Sequence, residues 1–170
     1  IYLKENIERI AKENKFIREI MEKDYHLTKI LHELSRRQIK DLVFKGGTCL
    51  NKCYLDFYRL SEDLDFVYNK DVKNLSKNQV RKKLSEIKKE LFEILEKAEL
   101  KVNKELGKGW KMLTSKKKQG IVGLEITAKY TSLTDNTEKD IKIEISFRRK
   151  LVNPTKEKLI SHKFYNALNE

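Results

Sequence analysis

The chain has 170 residues, 38% of them charged and 39% hydrophobic, and carries a formal net charge of +12. That is the size of one domain with a real core. No apolar run is long enough to cross a bilayer, no signal peptide is present, and two cysteines are too few for a secreted disulfide scaffold, so a cytoplasmic chain with no membrane partner is expected. A balance this basic suits a polyanionic partner, because lysines that neutralise phosphates release counterions, although a lysine-rich solvated surface has the same composition. The first residue is Ile1, not methionine, which reads as a trimmed chain or a partially ordered protein.

From the N-terminus, Leu3, Ile7, Ile10, Ile17 and Met21 keep one helical stripe, and Leu27, Ile30, Leu31 and Leu34 keep a second after a break at Asp24. Residues 1–40 are therefore expected to form N-terminal helices packed on the core. The basic connector 35–40 reads as a solvated helix end, with no role for Arg36 or Arg37.

The densest pattern lies in the stretch 41–68. Leu42, Val43 and Phe44 form a short apolar run of the kind found in a buried strand, and Gly46 and Gly47 free the backbone to turn where a Cβ would clash. Thr48 is placed to cap a helix in which Leu50, Cys53, Tyr54 and Phe57 recur at helical spacing, so the first N–H groups point out of the turn towards an anion. Cys49 and Cys53 read as small apolar buried thiols and not as a zinc pair, since His26, His32 and His162 supply no second ligand pair at metal-site spacing. In the next strand Asp63 and Asp65 share one face while Leu64 and Phe66 point into a core. Two such carboxylates repel unless a divalent cation takes the excess charge, and hard oxygen ligands suit Mg²⁺ completed by the phosphates of a nucleotide. A phosphate-binding turn followed by a two-carboxylate strand points to phosphoryl or nucleotidyl transfer.

Ser76 and Gln79 make a capping-box pattern that opens a long helix, with Val80, Leu84, Ile87, Leu91, Ile94 and Ala98 as a seam that covers a sheet. The opposite face, with Arg81, Lys82, Lys83, Lys88 and Lys89, is basic. Gly107, Gly109 and Trp110 mark a turn into strand, and Lys116, Lys117 and Lys118 beside Gly120 read as a hairpin tip. Val122, Leu124, Ile126, Ala128 and Tyr130 alternate with polar residues. After a polar loop, Ile141, Ile143, Ile145 and Phe147 alternate with Lys142, Glu144 and Ser146. These two strands are expected to be antiparallel, in a mixed sheet. Arg148, Arg149 and Lys150 are placed to neutralise a triphosphate, and Pro154 precedes a further helix carrying Leu159, Ile160, Phe164 and Leu168.

Lys45-Gly46-Gly47-Thr48-x-Leu50, followed by Arg59-Leu60-Ser61-Glu62-Asp63-Leu64-Asp65-Phe66, resembles the signature of the AbiEii-type nucleotidyltransferase toxins of prokaryotic toxin–antitoxin and abortive-infection systems. The resemblance implies an α+β chain with a DNA polymerase β-like nucleotidyltransferase fold. Its mixed sheet would be flanked by helices over 41–153, with the start of a C-terminal helical region at 154–170. It implies metal-dependent transfer of a nucleoside monophosphate from an NTP to an acceptor, with tRNA as the expected acceptor and a cognate antitoxin as partner. Gly46, Gly47 and Thr48, with Ser61 and Lys45, would hold the triphosphate. Asp63, Asp65 and a third carboxylate would be catalytic and would bind Mg²⁺ (or Mn²⁺). Glu144 is carried over for that third position, with Glu125 on the neighbouring strand as the alternative. Members of the family continue into a helical region that brings a further lysine and aspartate to the acceptor site, and in this chain Lys156, Lys158 and Lys163 are the lysines at hand. Two other readings share these residues: transfer to a protein or small molecule, and a non-catalytic basic RNA-binding module, which would ignore Mg²⁺ and Asp63→Ala.

Overall fold

Apolar residues three and four apart fold the N-terminal part into α1 (Tyr2–Asn14) and α2 (Arg18–Arg37). The structure, a computed structural model, describes residues 2–58, 60–72, 74–115, 120–147, 151 and 153–164. The break between the helices falls at Lys15, whose φ is +58°, and not at Asp24 as the sequence suggests. Asp24 stays inside α2 because its carboxylate is buried against the ammonium of Lys52, a partner that periodicity does not show.

One sheet holds β1 (Leu42–Lys45), β2 (Leu64–Tyr68), β3 (Lys101–Val102), β4 (Trp110–Ser115), β5 (Gly120–Thr131) and β6 (Glu138–Ser146). Its order is β1-β2-β6-β5-β3, with β4 also on β5. Only β2 and β6 run parallel among these pairs, so the fold is α+β with a mixed sheet, as expected. The two-residue β3 is too short to leave a pattern in the sequence.

The short α3 (Gly46–Leu50) follows β1 directly, and between β2 and β3 lies α4 (Lys77–Lys97). The capping box of α4 is formed: the Gln79 N–H donates to the Ser76 hydroxyl at 3.3 Å, and the Gln79 side chain accepts the Ser76 N–H at 2.8 Å. The seam Val80, Leu84, Ile87, Leu91 and Ile94 is buried against the sheet together with Leu27, Ile30 and Leu31 of α2. The sheet answers with Leu64, Phe66, Leu124, Ile126, Ile141, Ile143 and Ile145, so one face of the sheet is filled. By the two-residue alternation, Asp65, Glu125 and Glu144 lie on the other face, and all three are only half-buried.

Residues 153–164 do not form the helix read from their spacing; they run without regular structure. The Ser161 N–H donates to the Lys52 carbonyl at 2.7 Å, and the Phe164 N–H donates to His162 Nδ1 at 3.1 Å. Leu159 is left 95% exposed while Phe164 enters a second cluster with Ile7, Ile10, Met21 and Tyr25. The expected hairpin tip at 116–118, together with Arg59, Arg148, Arg149, Lys150 and Leu168, lies outside the described residues.

Candidate active site

At the end of β1 the chain turns on Gly46, whose φ of +81° lies in the left-handed region that glycine adopts at little cost. A Cβ there would also stand 2.3 Å from Asp65 Oδ2. The turn thus lies directly against the carboxylate of β2, and both backbone and space demand glycine. From this turn runs α3, which passes without a break into a π-helical turn, Asn51–Leu55.

Thr48 does not cap this helix. Lys45 occupies the cap position without a side-chain bond, and the buried Thr48 hydroxyl donates to the backbone oxygen of Asp63 at 2.5 Å. The threonine therefore ties α3 to the residue that leads into β2. Its backbone N–H remains part of the turn, but its hydroxyl is engaged with the protein.

The strand register places the acidic residues. Lys45 is opposite Asp65, Asp65 is beside Glu144, Glu144 is opposite Glu125, and Glu125 is opposite Lys111. Paired residues project to the same side of a sheet, so these five form one row across the open face. Lys111 makes an ion pair with Glu125 at 2.8 Å. Among the described residues, no side chain bonds or pairs with the carboxylates of Asp63, Asp65 or Glu144. Of the two alternatives for a third carboxylate, Glu144 is therefore the one next to Asp65 and without a described partner. Asp63 sits exposed at the mouth of β2. Ser61 is half-buried in the loop before it, and neighbouring Glu62 pairs with Lys23 at 2.9 Å.

Among the described residues no group of three His, Cys, Asp or Glu side chains is arranged to enclose a metal ion. What the row offers is Asp65 beside Glu144, with Asp63 exposed in the chain two residues before Asp65. That donor set fits Mg²⁺, which is usually held by one or two protein carboxylates and completed by phosphate oxygens and water.

Two lysines of the C-terminal stretch, Lys158 and Lys163, are engaged elsewhere. Lys158 donates to the Cys53 carbonyl at 3.2 Å and lies 3.8 Å over the Tyr54 ring, and Lys163 lies 5.0 Å over Phe57. Cys49 and Cys53 are half-buried and not fully buried, and burial with Cys53 beside it pushes the Cys49 thiol up to about 12. A cleft lined by Glu33, Arg36, Arg37, Ile94 and Lys97 shares no residue with the row.

Sequence reasoning misses the environment of Lys52. Its side chain is fully buried beside Asp24 and Thr28, while Leu50, Tyr54 and Tyr58 are 52%, 58% and 82% exposed. A lone lysine among apolar residues reads as solvated. The π-helical turn changes which residues face inward, and nothing in the spacing announces it.

A family model described as nucleotidyl transferase AbiEii toxin, type IV toxin–antitoxin system, matches residues 29–167. None of the curated proteins compared matches the chain. Among solved structures, JHP933 from Helicobacter pylori is 21% identical with a TM-score of 0.45, the match covering 76% of this chain and 44% of that one. A candidate nucleotidyltransferase from H. pylori is 20% identical with a TM-score of 0.46, the match covering 84% of this chain and 52% of that one. The chain thus spans about half the length of these two structures. No helix among the described residues is long and apolar enough to cross a membrane.

Proposed function

The chain belongs to the nucleotidyl transferase AbiEii toxin family of type IV toxin–antitoxin systems, and on that premise we propose that it transfers a nucleoside monophosphate from an NTP to RNA, with tRNA as the expected acceptor. The observation that carries the reading is the register of Asp65 beside Glu144, with the Gly46 turn lying against the Asp65 carboxylate. A glycine turn suited to phosphates stands against one of two adjacent carboxylates, an arrangement that a passive RNA-binding module does not need.

In this reading the backbone N–H groups of Gly46, Gly47 and Thr48, with Ser61 and Lys45, hold the triphosphate. Asp63, Asp65 and Glu144 would hold Mg²⁺ or Mn²⁺, whose chemistry is to neutralise phosphate charge and lower the pKa of an acceptor hydroxyl. The protein's own contribution is position. Gly46 allows the close approach, Thr48 fixes the entry to β2, and the parallel pairing of β2 and β6 fixes the two carboxylates relative to each other. Holding reactants in line supplies much of the acceleration in phosphoryl transfer. A cognate antitoxin is the partner this reading expects.

The test is incubation with each labelled NTP, Mg²⁺ and total tRNA, beside Asp63→Ala, resolved on a denaturing gel. Label on RNA from the wild type alone is expected. Asp63→Ala should melt with the wild type, since its side chain is exposed and bonded to no described residue. Equal labelling by both proteins, or unfolding of the variant, would sink the assignment of Asp63. Label on protein or small molecules in place of RNA would move the acceptor and leave the chemistry.

A further inference from the structure

The segment that follows the glycine turn is inside out. Asn51 and Lys52 are each 1% exposed, whereas Leu50, Tyr54 and Leu55 are 52%, 58% and 42% exposed. Burial of apolar area alone would turn these groups the other way, so something directed must hold the observed rotation. That something is visible. The Lys52 Nζ stands 2.8 and 3.0 Å from the two carboxylate oxygens of Asp24 and donates to the Thr28 hydroxyl at 2.9 Å. Thr28 in turn donates to the Asp24 backbone oxygen at 2.7 Å, so two hydrogen bonds and an ion pair reach Lys52 from one helical turn of α2. From the other side, the Lys52 carbonyl accepts the Ser161 N–H.

We propose that Lys52, through Asp24 and Thr28, is a positioning residue that sets the rotation of the Gly46–Leu50 helix and thereby the nucleotide affinity of the glycine turn. The inference rests on the nucleotide-transfer reading for its consequence, but not for its geometry. Lys52 is six residues from Gly46 along continuous helical backbone, a rise of about 9 Å, which leaves little slack between the two. A π-helical turn is an uncommon element often found at functional sites, and here it brings Lys52 inward. Replacing a buried ion pair by apolar groups is often neutral for stability, yet it removes the directed contact that selects one arrangement. In that case Leu50, Tyr54 and Leu55 compete for the interior with nothing to oppose them.

Two variants separate positioning from plain stability. Lys52→Met leaves Asp24 buried without its partner and is expected to lower the melting temperature and raise KM for the NTP. Asp24→Leu with Lys52→Met is expected to regain most of the melting temperature. It should nevertheless keep KM raised about tenfold or more, with faster amide exchange over residues 46–50 than in the wild type. A double variant with wild-type KM and wild-type exchange over 46–50 would overturn the proposal. Should the wild type transfer no nucleotide at all, the nucleotide-transfer reading fails, while the exchange rates of the double variant still decide whether Lys52 positions this helix.

Discussion

Gly46 and Glu144 are the residues whose surroundings say most. An alanine at 46 would have to adopt a positive φ, at about 1–2 kcal/mol, and would drive its Cβ into Asp65. Gly46→Ala is therefore expected to lower the melting temperature by several degrees, at ~2–4 °C per kcal/mol for a chain of this size, and to abolish transfer. An alanine variant that melts and transfers like the wild type would show that the turn is not held against Asp65. Glu144→Gln and Glu125→Gln divide the two carboxylates. Glu144 has no described partner beside Asp65, so its amide should lose transfer with little change in melting. Glu125 is paired with a Lys111 that is more than half exposed, a contact worth about 0–1 kcal/mol, and its amide should stay active. The reverse pattern would give the role to Glu125. Residue alternation put both glutamates on polar faces; the strand register, which no single strand reveals, put Glu144 next to Asp65.

Among the elements, α2 does more than cover the sheet. Three of its buried polar residues reach different parts of the chain: Asp24 and Thr28 hold the π-helical turn, and Glu22 holds the loop between β5 and β6. The Glu22 carboxylate accepts the Ser132 hydroxyl at 2.9 Å and the Leu133 N–H at 2.5 Å. Glu22→Ala strands these donors, at ~1–3 kcal/mol, and should lower the melting temperature while leaving NTP affinity unchanged. A rise in KM for NTP in this variant would mean that the loop and the glycine turn are coupled. None of these three partners is visible from the helical stripe of α2, because periodicity identifies which side is buried and not which polar group waits there. The helix read at the C-terminus fails for a related reason. Spacing at Leu159, Ile160 and Phe164 permits a helix, but the backbone bond from Ser161 to Lys52 favours an irregular path across the π-helical turn.

For the molecule as a whole, the packing of α2 on the sheet carries a pH dependence. His26 lies between Tyr25 and Tyr130, with ring centroids 4.1 Å apart on the Tyr130 side, and its Nδ1 is buried without a hydrogen bond among the described residues. Burial, aided by Lys29 and opposed by Glu99, lowers its pKa from 6.5 to about 4. The folded value lies below the unfolded one, so the unfolded chain takes the proton first as pH falls. The stability His26 contributes is complete above about pH 6.5 and is lost as pH falls through about 4. Each unit within that window costs ~1.4 kcal/mol. His26→Phe keeps a ring against Tyr130 without the titration, and its melting temperature should fall less steeply than the wild type's between these limits. Parallel curves would remove His26 as the cause.

Residue order was enough to specify several elements of the fold: a glycine turn, a capped covering helix and a mixed sheet with one apolar face. These follow from local rules, in which a residue's neighbours at two, three or four positions decide which way it points. Packing in three dimensions was needed to settle which carboxylates share a row, that the Thr48 hydroxyl serves the protein, and that Lys52 is inside while Leu50 and Tyr54 are outside. Those outcomes depend on strand register and on a buried ion pair between residues 28 positions apart. Such pairings are set by the whole core at once, which spacing along one segment does not record.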